Sequence, residues 1–133
     1  MDCPRCKLAL RPFAYEGEAV DMCTECWGYW LDAKAFDAIA RKRELLFDEE
    51  ERELIETTAG RTRAAAPDAP LDCPRCSAVM KKITFNVDAM LVVDRCASHG
   101  IWLDLGELKQ AQVIAERGDI VRDLFLKKLT GNA

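Results

Sequence analysis

The sequence predicts a small α+β fold made of two tandem units, each a β-hairpin followed by an α-helix. Three observations lead to this prediction: an internal repeat, cysteine pairs that recur in matched sets, and a hairpin pattern between the pairs of each set. The repeat comes first because a missed repeat misassigns the whole fold. Residues 20–32 read VDMCTECWGYWLD, and residues 93–104 read VDRCASHGIWLD. Because MDCPRC at 1–6 corresponds in the same way to LDCPRC at 71–76, the chain holds two copies of one unit.

All seven cysteines and the single histidine fall into two sets of four. The first set has two C-x2-C pairs separated by 16 residues, and the second has a C-x2-C and a C-x2-H separated by 19 residues. A structural zinc ion takes four such ligands in a tetrahedral array, and this pair spacing is a known zinc signature. The sequence therefore predicts two Zn²⁺ ions per chain, held by Cys3, Cys6, Cys23, Cys26, Cys73, Cys76, Cys96 and His99.

Redox pairs, structural disulfides and an iron–sulfur centre are the alternatives for these cysteines. A redox C-x-x-C normally lies at the start of a helix after a strand, and a single pair suffices. Disulfides require an oxidising compartment, yet no apolar targeting segment follows Met1-Asp2 and the number of cysteines is odd. The spacing favours zinc over all three, and the cysteine usage predicts a cytoplasmic protein.

In each unit a hairpin joins the two ligand pairs, which is the arrangement of a zinc ribbon. In unit 1, LRPFAY and AVDM flank the turn-like tip Glu16-Gly17-Glu18. In unit 2, an alternating segment from Val79 to Phe85 is followed by a turn at 86–89 and by MLVV. Each unit has only about 60 residues, a size at which one core is marginal, so we expect each unit to need its zinc to fold.

A helix is predicted after the second ligand pair of each unit. Asp104 is the expected N-cap in unit 2, with Glu107 completing a capping box, and Asp32 is the equivalent cap in unit 1. Trp30 and Trp102 follow the last ligand closely, and we expect them to cover the cysteine sulfurs and to pack the small core.

The segment 33–58 forms either one long helix or two helices with a break near Phe47-Asp48. A continuous helix places an apolar stripe on one face, composed of Phe36, Ile39, Ala40, Leu46, Phe47 and Leu54. We expect this stripe to be covered by unit 2 or by a second chain, so one predicted arrangement is a homodimer through the 33–58 helix. The run DEEERE at 48–53 is predicted to be a solvated face.

The predicted organisation is unit 1 at 1–58, a linker at 59–70 and unit 2 at 71–133, because TTAGRTRAAAPDAP before the second unit lacks apolar bulk. Within unit 2 we expect a helix break near Gly118, followed by a short amphipathic helix carrying Ile120, Val121, Leu124 and Phe125. No apolar run approaches the roughly 20 residues that a membrane helix requires.

Four motifs together, CPRC, VDMCTEC or VDRCASHG, WLD and GEL, closely resemble the TFIIB-like zinc-finger family of small prokaryotic proteins. The resemblance covers roughly residues 1–40 and 71–112. It implies a zinc-ribbon-like fold with a trailing helix, zinc ligands at the same eight positions, and a link to transcription. One departure is that Lys7, Trp27 and Ser77 stand after the second cysteine, where many knuckles have a glycine at positive φ.

Charge disfavours a nucleic-acid-binding role. The formal net charge is −4, and seven thiolates with two zinc ions bring it to about −7. Duplex binding depends largely on Lys and Arg that neutralise phosphates. The one candidate basic patch is in unit 2, at Arg75, Lys81, Lys82 and Arg95, while Arg5 and Arg75 in the knuckles have the simpler role of offsetting thiolate charge. We therefore predict a protein-interaction or adaptor module, with nucleic-acid binding as the alternative.

No catalytic residues and no cofactor besides zinc are predicted. A catalytic zinc keeps one coordination position for water, whereas both sets here supply four protein ligands. The only histidine already belongs to a set, which leaves none for acid–base work. We expect the protein not to be an enzyme.

Overall fold

The computed structural model describes residues 1–40, 47–58, 69–86 and 91–130. Within these ranges the strands are β1 (Arg11–Tyr15), β2 (Glu18–Met22), β3 (Tyr29–Leu31), β4 (Lys81–Asn86), β5 (Leu91–Cys96) and β6 (Gly100–Leu103). The helices are α1 (Ala33–Ala40), α2 (Glu49–Thr58) and α3 (Glu107–Thr130). The predicted α+β class, with two hairpin-and-helix units, is confirmed. The boundaries at 58 and 71 stay a prediction, and residues 59–68 of the expected linker lie outside the described ranges.

All six strands form a single antiparallel sheet in the order β1-β2-β3-β6-β5-β4. The two units meet where β3 pairs with β6, and the register places Trp30 opposite Trp102. On either side of this pair Tyr29 faces Leu103 and Leu31 faces Ile101. Since Tyr29 and Ile101 occupy the same position in the two copies, a pseudo-twofold axis passes through the tryptophan pair. The sequence analysis missed these third strands, because it treated the Trp-Leu-Asp segments only as helix entrances.

The predicted hairpins are present in both units. In unit 1, Tyr15 pairs with Glu18, so the turn consists of Glu16 and Gly17 alone. Both have positive φ, 49° and 83°, as a type I′ turn demands, and this turn matches the twist of the flanking strands. In unit 2 the hairpin joins β4 and β5, with a register shift between Thr84 and Asn86. Residues 87–90 of its predicted turn lie outside the described ranges.

Side chains along the central strands point alternately to the two faces of the sheet, so the interior has two layers. Leu31, Ile101 and Leu103 lie on one face of the sheet in a cluster with side chains from α1 and α3. Trp30 and Trp102 lie on the other face among the cysteines Cys3, Cys23 and Cys73, together with Leu71 and Met80. This confirms the expectation that the two tryptophans pack against the sulfurs. One sheet therefore carries a helix face and a cysteine face.

Two glycines at the centre of the sheet let the units approach each other. Gly28 and Gly100 are equivalent positions: Gly28 lies just before β3, and Gly100 is the first residue of β6. A Cβ at Gly28 would overlap the ring of Trp102, and one at Gly100 would overlap the backbone oxygen of Leu31. Each glycine therefore lies against the opposite unit, where no other residue fits without displacement.

The described residues of the segment 33–58 contain two helices. Helix α1 is capped by Asp32, whose Oδ1 accepts the Ala35 N–H at 2.7 Å. Helix α2 begins with a full capping box: Asp48 Oδ1 accepts the Glu51 N–H at 2.8 Å, and Glu51 Oε1 accepts the Asp48 N–H at 3.1 Å. Of the two alternatives drawn from the sequence, the break near Phe47-Asp48 is the one observed.

The predicted apolar stripe is covered only in part. Phe36 and Ile39 are buried in the helix-face cluster, and Phe47 is half-buried. Leu54 is 63% exposed, which contradicts the expectation for that residue, and Leu46 lies outside the described residues. The buried part of the stripe is thus covered within the chain, while the homodimer through 33–58 stays a prediction.

Helix α2 is held against α3 by ion pairs. Arg52 is buried and its Nε lies 3.0 Å from Oε2 of Glu116, which is also buried. Arg117 reaches back from α3 to Glu49 and Glu56 at 2.8 and 2.6 Å. The expectation of a solvated face at 48–53 is therefore right for the exposed glutamates and wrong for Arg52, which a buried carboxylate partner draws inward.

Helix α3 runs without interruption through Gly118, so the predicted break there is wrong. One glycine in a helix interior costs about 1 kcal/mol relative to alanine, and a 24-residue helix tolerates that loss. The side chains after Gly118 lie outside the described part. Among the described helices, α3 included, none is both long and apolar enough to span a membrane.

Replacing Gly28 by alanine should weaken the junction between the units. The added methyl overlaps the buried Trp102 ring, so we expect a loss of about 1–3 kcal/mol in the free energy of unfolding, as overpacked cores show. Urea denaturation of the zinc-loaded protein measures the loss. Unchanged stability of Gly28→Ala would mean that the units are not packed through this contact.

Replacing Gly118 by alanine should have the opposite effect. A Cβ there meets no atom within 4 Å and the residue lies inside a helix, so stability should rise by about 1 kcal/mol. The same urea titration measures the gain. A loss of stability would indicate that α3 is interrupted at this glycine, as the sequence analysis supposed.

Candidate metal centres

Each C-x2-C pair lies on a tight turn whose geometry is shared between sites. After the pairs at Cys3, Cys23 and Cys73, the N–H four residues on donates to the carbonyl of the first cysteine at 2.9 Å. The donating residues, Lys7, Trp27 and Ser77, have φ of 62°, 60° and 63°. The positive φ expected at this position is therefore present without glycine. A non-glycine residue in this region costs about 1–2 kcal/mol, which the rest of the site must offset.

The fourth pair has a different turn because unit 2 is one residue shorter here. The His99 N–H donates to the Cys96 carbonyl at 3.2 Å, and the chain passes directly into β6 at Gly100. In unit 1 the extra residue is Trp27, whose side chain is 50% exposed. The shorter turn explains why only this pair is followed by glycine: Gly100 is already the first residue of a central strand.

Backbone amides donate hydrogen bonds to several of the cysteine sulfurs, although burial still raises the pKa of the Cys73 thiol. The Cys6 N–H donates to Cys3 Sγ at 3.3 Å, and the Arg75 N–H donates to Cys73 Sγ at 3.4 Å. A hydrogen bond from the Ser98 backbone lowers the pKa of the Cys96 thiol to about 7. Donation to sulfur favours the charged form, and the thiolate is the form that binds metal.

The structure brings all eight predicted ligand residues together in the two expected groups of four. One cluster comprises Cys3, Cys6, Cys23 and Cys26, the other Cys73, Cys76, Cys96 and His99. Within each cluster the ligand atoms lie within 4.8 Å of one another. The hairpin of each unit achieves this, since it returns the chain from the first pair to the second.

The separations inside the clusters fit a tetrahedral zinc ion. A regular tetrahedron with Zn–S bonds of about 2.3 Å has S···S edges of about 3.8 Å. The Cys3–Cys26 and Cys76–Cys96 sulfur pairs are 3.7 and 3.8 Å apart. His99 presents Nδ1, which lies 3.6 Å from the Cys96 sulfur and 3.8 Å from the Cys73 sulfur. Both clusters therefore have the form of a closed Zn²⁺ site, while coordination by each residue stays a prediction.

Bound zinc would tie together the two ends of the hairpin in each unit. Each first pair precedes β1 or β4, and each second pair follows β2 or ends β5. The ion thus fixes both ends of a hairpin beside the central strand of the same unit. Since four protein ligands fill a tetrahedral zinc, the ion would supply a cross-link at such a site.

Sequence analysis missed the role of Arg5. Its Nε and Nη2 donate to Oδ1 and Oδ2 of Asp104 at 2.6 and 2.9 Å, a bidentate pair that crosses from unit 1 to unit 2. Trp102 Nε1 donates to the same carboxylate at 3.1 Å. Arg5 does more than offset thiolate charge: it connects the first metal site to the helix entrance of unit 2.

The predicted capping box at Asp104 is only half formed. Glu107 Oε1 accepts the Asp104 N–H at 2.8 Å as expected, but the Asp104 carboxylate is occupied by Arg5 and Trp102. Burial and the nearby Asp104 charge raise the pKa of Glu107 to about 8. A carboxylate that looks like a helix cap in the sequence serves instead as a bridge between units.

Comparison with known families gives one result. The family model described as transcription factor zinc-finger, the TFIIB-type zinc ribbon, matches the chain twice, at residues 2–42 and 72–112. Each match contains one of the two clusters and, together, they cover more than half of the chain. No curated protein and no solved structure matches it.

Purified protein should carry two zinc ions per chain, because the eight ligands form two closed sets. Metal analysis by mass spectrometry against a protein concentration from amino-acid analysis measures the ratio. A ratio of one, or iron with visible absorbance, would contradict the two-site interpretation.

The substitution His99→Ala should release zinc from the second cluster alone. It leaves three thiolates there, while the first cluster keeps its own four cysteines. Native mass spectrometry should show one tightly held ion per chain. His99→Cys is the matched control and should keep both ions, since Cys26 fills the equivalent place in unit 1. Two tightly held ions in His99→Ala would show that His99 is not a ligand.

Proposed function

The chain belongs to the TFIIB-type zinc-ribbon family of transcription factor zinc-fingers, and from this premise we propose that it is an adaptor, a zinc-stabilised module that binds another protein. The family description puts transcription proteins first among the candidate partners. The observation that carries the proposal is the combination of two closed metal sites with a negative net charge and with four basic side chains of the described residues, Arg5, Arg52, Lys82 and Arg117, that are already paired with carboxylates.

The metal sites support a structural role for zinc. Both clusters provide four protein ligands, so neither leaves a coordination position for a substrate or a reactive water. Each unit of about 60 residues needs such a cross-link, since a core of that size is marginal. We therefore propose a binding protein and not an enzyme. Seven free thiols suit a reducing compartment such as the cytoplasm, which is part of this proposal.

Several basic side chains are already neutralised inside the protein. Arg5 is paired with Asp104, Lys82 with Asp94, and Arg52 with Glu116. Arg117 is paired with two glutamates of α2. A cation held by a carboxylate contributes little to binding phosphates. Together with a formal net charge of −4, this supports a protein partner over a nucleic acid.

The basic patch expected in unit 2 is divided between the two faces of the sheet. Lys81 pairs with Arg95 and Lys82 with Asp94, and neighbouring residues of a strand point to opposite faces. Lys82 therefore lies on the cysteine face, where it is bonded to Asp94 at 2.7 Å. Lys81 and Arg95 lie on the helix face. The four residues do not make one continuous phosphate-binding surface.

Nucleic-acid binding is the competing function, and the family description favours it. Of the expected basic patch, the side chains of Arg75, Lys81 and Arg95 are exposed and unpaired among the described residues, and Lys81 and Arg95 face each other across β4 and β5. A fluorescence anisotropy assay with duplex DNA and single-stranded RNA, repeated at several salt concentrations, distinguishes the two functions. We expect no binding tighter than about 10⁻⁵ M at physiological salt, the range of non-specific association.

Affinity capture of the zinc-loaded chain from its native host, with mass spectrometry, tests the adaptor role. We expect a stoichiometric protein partner that withstands nuclease treatment. The matched control is the double variant Lys81→Gln/Arg95→Gln, which should retain the partner. Capture that depends on nucleic acid and is lost in that variant would overturn the adaptor proposal.

Light scattering on the purified chain tests the homodimer separately, because a dimer would have twice the chain mass.

A further inference from the structure

The two halves of the pseudo-symmetric sheet differ in one respect: on the cysteine face, the half around Trp102 is closed by polar contacts, whereas the half around Trp30 is an open cleft. The cleft has a volume of about 610 Å³ and is lined by residues of both units, among them Pro12, Asp21, Trp30, Asp32, Arg75 and His99. Equivalent residues line the closed half. The closed half therefore shows which chemical groups pair with the arginine, the tryptophan N–H and the aspartate of such a site.

In the closed half a carboxylate lies between an arginine and a tryptophan. Asp104 accepts both guanidinium hydrogen bonds of Arg5 and the indole N–H of Trp102. Beside it, Lys82 Nζ lies 2.7 Å from Oδ1 of Asp94, and Asp94 is opposite Trp102 in the sheet. One carboxylate and one ammonium group thus complete this half.

The open half has the same binding groups without those two partners. Arg75 and Trp30 correspond to Arg5 and Trp102, and Asp32 corresponds to Asp104. Asp32 caps α1 instead, because α1 begins directly after it, at Ala33. Among the described residues, Arg75 has no ion pair and the Trp30 indole N–H has no acceptor.

The Trp30 nitrogen opens onto the cleft. Its side chain is 97% buried, with 3% exposed, yet no buried polar side-chain atom of the described residues lacks a partner. A nitrogen without a protein partner must therefore reach the solvent in the cleft that the ring lines. A buried donor facing a cleft beside a free guanidinium favours a ligand with an anionic oxygen.

The open half lacks an ammonium group equivalent to that of Lys82, and the sequence explains why. In the register of the hairpins, Asp21 faces Pro12 where Asp94 faces Lys82. Proline carries no charge, so within the described residues Asp21 has no ion pair. A lone anion bound at Arg75 would be repelled by Asp21 and Asp32, whereas a ligand that also brings a cation would not.

We propose that this cleft docks a segment of a partner protein through one acidic side chain and one neighbouring lysine. The carboxylate of the acidic side chain accepts hydrogen bonds from the Arg75 guanidinium and from the Trp30 indole N–H. The lysine ammonium forms an ion pair with Asp21. The inference rests on the proposed adaptor function and names the surface and the partner chemistry that this function uses. His99 also lines the cleft, so the second metal site forms part of its wall.

The test follows the three indole N–H signals of the ¹⁵N-labelled, zinc-loaded full chain, one for each tryptophan. The probe is a capped Gly-Asp-Lys-Gly peptide, and the comparison peptides replace Asp by Asn or Lys by Gln. We expect a saturable shift of the Trp30 signal with no shift of Trp102, whose N–H is already bonded to Asp104. Each comparison peptide should bind about tenfold more weakly, the loss of one charge-assisted contact.

Two variants make the test specific. Arg75→Gln should weaken the probe about tenfold, while Arg95→Gln, an exposed arginine on the helix face of the same unit, should have no effect. Pro12→Lys should supply the missing ammonium from within the chain, so the preference for lysine in the peptide should disappear. An unshifted Trp30 signal, equal binding of the Asn peptide, an unaffected Arg75→Gln or an unchanged lysine preference in Pro12→Lys would each overturn the proposal.

This test can fail separately from the adaptor function. If a stoichiometric partner is captured equally well by Arg75→Gln, the adaptor role stands and the docking cleft is overturned. If the peptide binds as expected but no partner is captured, the cleft is supported and the adaptor role is overturned.

Discussion

The pairing of β3 with β6 is the contact on which the rest of the structure depends. These strands have only three and four residues, too few to be stable alone, yet they join two hairpins into one sheet. The pair holds because both faces are covered: Trp30 and Trp102 are buried among the cysteines, and Leu31, Ile101 and Leu103 beneath the helices. The bidentate contact from Arg5 to Asp104 crosses the same boundary. Without this junction, each unit would expose the side chains that the other unit now covers.

The helices stabilise one face of the sheet, and the metal clusters stabilise the other. On the helix face, α1 and α3 bury aliphatic side chains in the manner of an ordinary two-layer α+β domain. On the cysteine face, the described residues form no covering layer of helices or strands, and the four turns that carry the ligand pairs lie there instead. Zinc binding contributes on the order of 10 kcal/mol at neutral pH, which compensates for the missing layer. This explains why two units of about 60 residues can share one interior around the single sheet that the described residues form.

The sequence predicted features that depend on residues close together in the chain. It did not predict contacts between residues far apart in the chain. The ligand groups follow from spacing, and the Glu16-Gly17 turn from the residues a type I′ turn demands. The third strands were missed because runs of three or four residues are too short to show a period of two, and because their partners lie some 70 positions away. For the same reason Asp104 was taken for a helix cap: its true partner, Arg5, belongs to the other unit. Continuity of α3 through Gly118 also depends on context, which outweighs a modest propensity loss.

The strand order reads the same from either end, and this has a consequence for how such a chain becomes complete. While a ribosome is still producing the second half, unit 1 presents the free edge of β3 with Trp30 exposed beside it. The backbone of that edge can pair with the equivalent strand of its own chain or with the same strand of another molecule. A shortened chain with a single copy would finish its sheet only by pairing with an identical chain about a true twofold axis. When two copies are joined in one chain, the encounter between two molecules is replaced by the closure of the loop that links the copies. The entropic cost of closing this loop grows only slowly with its length.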